Sequence, residues 1–252
     1  MQLSLALDPT SPVAAVHRRL KSAFGPFAGE RRLSPLDQLV AALISSRTRD
    51  EVSWAAYLRL ESLFRPWERL AEASPEAVEA AIAQVTHADV KAGWLPETLR
   101  RIASGAGGLS LDFLADTPVE EAMTWLQALP GVGDKTAAAT LNFSTLRRPV
   151  MVVETHVWRT ARRIGLAPRN AEPAAVRRAI MEAAPPTWDG EDYFDLHWLL
   201  KRLGQSLCLD QRTRCGACPV AALCASRGQA ARAPLRPGTL VRPAFGARES
   251  RQ

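Results

Sequence analysis

The chain has 252 residues, 47% of them hydrophobic and 23% charged, which describes a globular protein long enough for one large core or two small ones. No apolar run reaches membrane-spanning length, and residues 1–9 lack the basic-then-apolar order of a secretory signal, so neither a membrane span nor export is expected. The formal charge of +6 is unevenly placed: residues 61–128 hold 5 basic and 11 acidic side chains and residues 129–228 hold 14 and 9, so only the second stretch should attract a polyanion.

Helix starts recur along the chain with little strand punctuation between them. Ser34-Pro35 opens a segment in which Leu36, Leu39, Val40, Leu43 and Ile44 fall on one helical face. Ser74-Pro75-Glu76 opens another, and Thr117-Pro118-Val119-Glu120 reads as a capping box with proline at the first helical position. Sustained period-two alternation is absent, so the fold is predicted to be all-α. Helices are expected over Val119 to Leu129 and Asp134 to Phe143, joined by Leu129-Pro130-Gly131-Val132-Gly133. Two glycines around one apolar residue make a hairpin too tight for side chains. Amides of Gly131, Val132 and Gly133 turned outward at the start of the next helix would form an anion site, with the helix dipole behind them.

All four cysteines fall within one short stretch, Cys208, Cys215, Cys218 and Cys224, spaced C-x6-C-x2-C-x5-C. Disulfides or buried free thiols are the plain alternatives, but the tight Cys215-x-x-Cys218 pair supplies two metal ligands from one turn. A structural zinc also takes four thiolates. Zinc ribbons usually carry two tight pairs, and the single tight pair here favours a 4Fe-4S cluster. Thiolates kept as ligands predict a reducing cytoplasm. The loop from Leu209 to Ala217 carries Arg212 and Arg214, with Lys201 and Arg202 on the segment before it. These are either cations placed beside a phosphate backbone or an ordinary solvated charged surface. Residues 229–252 hold five arginines and one glutamate among prolines and glycines, which predicts a disordered basic tail over 227–252.

The glycine hairpin between two helices and the cysteine spacing, in that order, make the run from about Ser34 to Cys224 resemble the endonuclease III family of bifunctional DNA glycosylases and abasic-site lyases. The resemblance implies a two-domain helix-hairpin-helix glycosylase fold. A six-helix barrel domain would span residues 34–148, and residues 1–33 with 149–226 would form the 4Fe-4S cluster domain, with a DNA groove and damaged-base pocket between them. It implies double-stranded DNA carrying a damaged base or an abasic site as partner, the lesion being an oxidised pyrimidine, and a monomer with no membrane association. Lys135 stands at the position of the family's catalytic lysine. An amine there can attack C1′, expel the base and remain as a Schiff base, provided that it is neutral when it attacks.

Several positions depart from the family pattern. Its second catalytic residue is an aspartate in a V-D-T-H run, where this chain has Val153-Glu154-Thr155-His156, and the connection from Lys135 is one residue longer than usual. Glu154 carries the carboxylate one methylene further out, either to stabilise charge at C1′ or merely to cap a helix. Arg47, in Ser45-Ser46-Arg47-Thr48-Arg49-Asp50, stands where relatives usually place a gap-filling glutamine, and His87 stands where they place an apolar wedge. His156 aligns with a residue near the DNA backbone. A non-catalytic iron-sulfur DNA-binding protein, or a glycosylase of the same fold with another lesion, are the alternatives that these departures keep open.

Overall fold

A computed structural model describes residues 11–25, 32–105 and 107–228. The tail expected over 227–252 lies outside the described residues from 229 onward. Among the described residues all regular structure is helical apart from one isolated antiparallel bridge between Cys208 and Thr213. None of the helices is long and apolar enough to cross a membrane. The described residues divide into two compact units, one formed from residues 32–105 and 107–148, the other from residues 11–25 and 149–228.

The first unit is built around α2 (Pro35–Ser45), which packs on α3 (Asp50–Phe64), α6 (Ala88–Ala103) and α8 (Asp134–Phe143). With α5 (Pro75–Ala81) and α7 (Val119–Gln127) these make six helices, joined by the five-residue α4 (Glu68–Glu72). The starts follow from sequence chemistry: the hydroxyls of Ser34 and Ser74 accept the amides of Asp37 and Ala77, and proline fills the next position in both. Leu39, Val40, Leu43 and Ile44 are buried, and Leu36 is half-buried. The facing stretch of α8 is Ala137, Ala138 and Ala139, small enough for the two helix backbones to lie close. The expected capping box at Thr117 does not form. Helix α7 begins at Val119 with Pro118 as its cap, and the Thr117 hydroxyl instead donates to the Phe113 carbonyl at 3.0 Å, closing the turn before the helix. Helix α7 also ends at Gln127, because Ala128, Leu129 and Val132 bond back into successive tight turns leading to the hairpin.

The second unit packs α1 (Pro12–Phe24), α9 (Thr155–Ile164), α10 (Pro173–Ala183) and α11 (Gly190–Ser206) around Val13, Val16, Leu20, Val157, Ile164, Val176, Ile180, Leu196 and Leu200. The segment that enters it, Val150 to Val153, is wholly buried, and the His197 ring meets the Val152 carbonyl at 2.8 Å. Asp195 lies 2.9 Å from His17 and 2.8 Å from Lys21, which ties α1 to α11 through a nearly buried carboxylate. Helices α9 and α11 approach so closely that a Cβ on Gly204 would stand 2.8 Å from the Cβ of His156 and 3.2 Å from Thr160 Cγ2. Gly204→Ala is therefore expected to destabilise the protein. Overpacking costs about 1–3 kcal/mol and exceeds the helix-propensity gain of about 1 kcal/mol. Thermal unfolding of the two proteins checks this, and an equal or higher midpoint for the variant would refute the close crossing.

Candidate functional site

The C-terminus of α2 gathers the candidate residues of the first unit. Lys135 lies in the first turn of α8, half-buried, and its Nζ donates to Ser45 Oγ at 2.7 Å. The hydroxyl of Ser45, the last residue of α2, donates in turn to the Ala42 carbonyl at 2.9 Å. Helix α2 then stops without a glycine, its chain passing through extended Ser46 to Arg47, which adopts the left-handed conformation at φ +55°. His87, the residue before α6, is left-handed as well at φ +57°, and both side chains are exposed. The Thr86 amide donates to Thr48 Oγ1 at 3.1 Å, so the turns that carry Arg47 and His87 lie side by side. Non-glycine residues at positive φ are uncommon and costly, and here two exposed ones lie together.

Sequence reasoning passed over Lys91, which holds this corner together. Only 2% exposed, it donates from Nζ to the Ile44 carbonyl at 2.9 Å and the Ser46 carbonyl at 2.7 Å. Burial lowers its pKa to about 8. The signal was present: Lys91, Leu95, Leu99 and Ile102 share the buried face of α6, and a lysine on such a face needs acceptors.

The hairpin differs in part from the expectation. Gly131 does require positive φ, at +72°, but the Val132 amide is turned into the Leu129 carbonyl at 3.2 Å, and the Val132 side chain is buried. Val132 therefore anchors the hairpin, and Gly131 and Gly133 form its exposed surface. A Cβ on Gly131 would stand 2.4 Å from the Trp94 ring, whereas one on Gly133 would meet nothing within 4 Å. The Thr98 hydroxyl donates to the Pro130 carbonyl at 2.9 Å and fixes the other side of the hairpin to α6.

In the second unit Glu154 caps α9, its Oε1 accepting the Val157 amide at 2.9 Å. His156 Nδ1 lies 3.0 Å from Arg159 Nη2, and since a guanidinium only donates, the imidazole proton sits on Nε2. Arg159 also donates to the Gly204 and Cys208 carbonyls, and Arg163 to the Leu209 and Asp210 carbonyls at 2.7 Å. These two arginines brace the cysteine loop, a role that charge counting does not disclose. Arg212 is exposed and Arg214 half-buried. Of the cations placed before the loop, Arg202 donates to the Phe24 carbonyl at 2.9 Å and Lys201 stands over the Trp198 ring, so both are engaged within the unit.

The four cysteines are free and partly exposed. Burial pushes the Cys218 thiol up, and the neighbouring Cys208, Cys224 and Cys215 push it further, so these three lie within electrostatic reach of Cys218. Hydrogen bonds from the Gly228 backbone and Thr213 hold the Cys215 thiol below its usual range. A cavity of about 790 Å³ is lined by Cys208, Cys215 and Cys224 together with Arg159, Arg162, Arg163 and Arg169. No three His, Cys, Asp or Glu side chains among the described residues converge tightly enough for a single metal ion. A cubane distributes its thiolates over four irons and so holds them farther apart than one tetrahedral ion does. The donor set, four soft thiols beside Arg163 Nη1 at 3.6 Å from Cys208 Sγ, fits such a cluster.

Residues 40–186 match the family model of the HhH-GPD superfamily base excision DNA repair proteins. The chain belongs to this superfamily. It is an endonuclease III-like member and a DNA glycosylase of base excision repair. Endonuclease III of Escherichia coli strain K12 is 29% identical over 192 residues, which is 76% of this chain and 83% of the relative. The homologue of Encephalitozoon cuniculi is 29% identical over 197 residues, 75% and 77% of the two chains. An Arabidopsis thaliana relative named as a DNA glycosylase is 34% identical over 139 residues, 55% of this chain and 47% of its own. The fold matches endonuclease III in a non-covalent DNA complex with a TM-score of 0.72 at 21% identity, over 86% of this chain and 95% of that one.

The two glycines of the hairpin should now separate experimentally. Gly133→Ala places a methyl on the open surface and is expected to weaken binding to any duplex, damaged or undamaged, at an unchanged melting temperature. Gly131→Ala drives a methyl into Trp94 at a positive φ and should lower the melting temperature itself. Titration of intact and abasic duplexes, with thermal unfolding of both variants, checks the pair. A Gly133→Ala protein that bound both duplexes like the wild type would show that the exposed face of the hairpin does not meet DNA.

Proposed function

We propose that this glycosylase is bifunctional: it removes a damaged base, an oxidised pyrimidine, from duplex DNA and then cleaves the abasic strand, with Lys135 as nucleophile. The observation that carries the reading is the placement of Lys135. It stands in the first turn of α8 directly after the hairpin, its Nζ held at 2.7 Å by Ser45 beside the exposed turn of Arg47. The neutral amine attacks C1′, the glycosidic bond breaks and the base leaves as it is protonated. The sugar ring opens to a C1′=Nζ iminium, and loss of a C2′ proton then expels the 3′ phosphate. The endonuclease III relatives and the solved structure of a trapped endonuclease III-DNA covalent intermediate support this route. Cys208, Cys215, Cys218 and Cys224 would hold a 4Fe-4S cluster, which keeps the basic cysteine loop folded, and a reducing cytoplasm suits those thiolates.

A carboxylate can stabilise the cation that develops at C1′, and we assign that role to Glu154. A second reading, a glycosylase in which Glu154 serves only as a helix cap, draws on the same residue, because its Oε1 already caps α9. Glutamine separates the two, since its amide oxygen can still accept the Val157 proton while the charge is gone.

Lys135→Gln is expected to abolish adduct formation with abasic DNA under borohydride while leaving binding within about threefold, because an amide forms no Schiff base. Glu154→Gln should slow base excision by about 100-fold at an unchanged melting temperature, since a negative charge beside a developing cation acts mainly on the transition state. Wild-type protein that forms no adduct would show a glycosylase that stops after base removal, and an unaffected Glu154→Gln enzyme would remove that carboxylate from the chemistry. For the cluster, anaerobically purified protein should contain about four irons and absorb broadly in the visible. Cys215→Ser should lose both iron and soluble yield, whereas stoichiometric zinc in their place would overturn the assignment.

A further inference from the structure

The reading of Lys135 as nucleophile leaves open what aims it, and the corner around α2 contains a candidate device. Ser45 Oγ uses its proton on the Ala42 carbonyl at 2.9 Å, so toward Lys135 the hydroxyl can only accept. An acceptor fixed at 2.7 Å takes one N–H of Lys135 and thereby orients the rest of the amine. Its own position depends on the last turn of α2, where the carbonyls lack helical partners and the chain turns into a left-handed residue. Lys91 bridges that turn on both sides of Ser45, bonding the carbonyls of Ile44 and Ser46.

We propose that Lys91 and Ser45 form a two-part positioning device for Lys135: the buried ammonium clamps the end of α2, and the serine so fixed presents the acceptor that aims the nucleophile. The inference rests on the lyase reading above. Both are positioning residues, since neither need touch DNA. Four features agree with the assignment. Lys91 is 2% exposed and so has no solvent role, and an ammonium placed at a helix C-terminus is favoured by the dipole. Its two acceptors flank Ser45 rather than lying elsewhere on α2. The same clamp immobilises the start of the Arg47 turn, because the Ser46 carbonyl is the last acceptor before the positive φ.

The test uses the full-length, cluster-loaded protein with an abasic duplex, measuring the single-turnover rate of borohydride trapping at saturating enzyme, the dissociation constant and the melting temperature. Wild type, Ser45→Ala, Lys91→Met and the double variant are compared. Misaiming a reacting group by a fraction of a bond length costs about 10- to 100-fold in rate. Ser45→Ala and Lys91→Met are each expected to trap DNA slower by about that factor, with affinity within about threefold of wild type. The double variant should be no slower than the worse single one, because both act through one contact. If Lys91→Met does not fold, Ser45→Ala alone carries the rate test. Wild-type trapping with Ser45→Ala at the wild-type rate would overturn the device and leave the lyase intact. Affinity and rate falling in parallel in both variants would also overturn it, showing a structural role only. A wild type that does not trap overturns the lyase reading and this inference with it.

Discussion

A helix has to satisfy the carbonyls of its last turn, and the way α2 does so governs the first unit. The usual solution is a left-handed glycine that folds the chain back over the end. Here Ser46 is extended, the left-handed residue that follows is an arginine, and the carbonyls of Ile44 and Ser46 are met by an ammonium from another helix. Burying a lysine is expensive unless its protons find acceptors, and its pKa, lowered to about 8, records that expense. In exchange, the end of α2 is fixed by a contact from α6 rather than by its own chain, and Ser45 acquires a defined place against α8.

Helix α6 does the same for the hairpin. Lys91, Trp94 and Thr98 recur at intervals of three and four residues, close to one face of the helix, and meet in turn the end of α2, Gly131 and the Pro130 carbonyl. The Trp94 ring explains why position 131 must be glycine in this chain, independently of any phosphate: positive φ and a ring 2.4 Å from the would-be Cβ both forbid a side chain. One helix thus positions the segment that carries Lys135 and the segment that carries its acceptor. A rigid element beneath two loops holds a site more closely than either loop could alone.

Which of these features could be read from the sequence follows from their range. The Ser-Pro starts of α2 and α5 and the bounds of α8 were legible because capping chemistry acts over three or four residues. Thr117 misled for a related reason: its hydroxyl had two local partners within reach, the helix ahead and the Phe113 carbonyl behind, and the tight turn at Asp112–Ala115 placed the second nearer. Glu154 was legible as a carboxylate, and its cap on Val157 is again local. The Lys91 clamp and the Lys135–Ser45 contact span more than forty residues of sequence, and no periodicity reports which carbonyl a distant lysine will meet.

The same limit applies to charge. Residues 129–228 carry an excess of basic side chains, which predicted attraction to a polyanion, but many of those arginines face inward. Arg159 and Arg163 brace the backbone at Gly204 and Cys208 to Asp210, Arg177 is buried, and Arg202 holds the Phe24 carbonyl. A guanidinium that bonds loop carbonyls still contributes to the field felt by an approaching phosphate, but it cannot release its partner to contact one. The bracing arginines around the cysteine loop add to a long-range field that salt screens, whereas Arg212 is exposed and its guanidinium faces solvent.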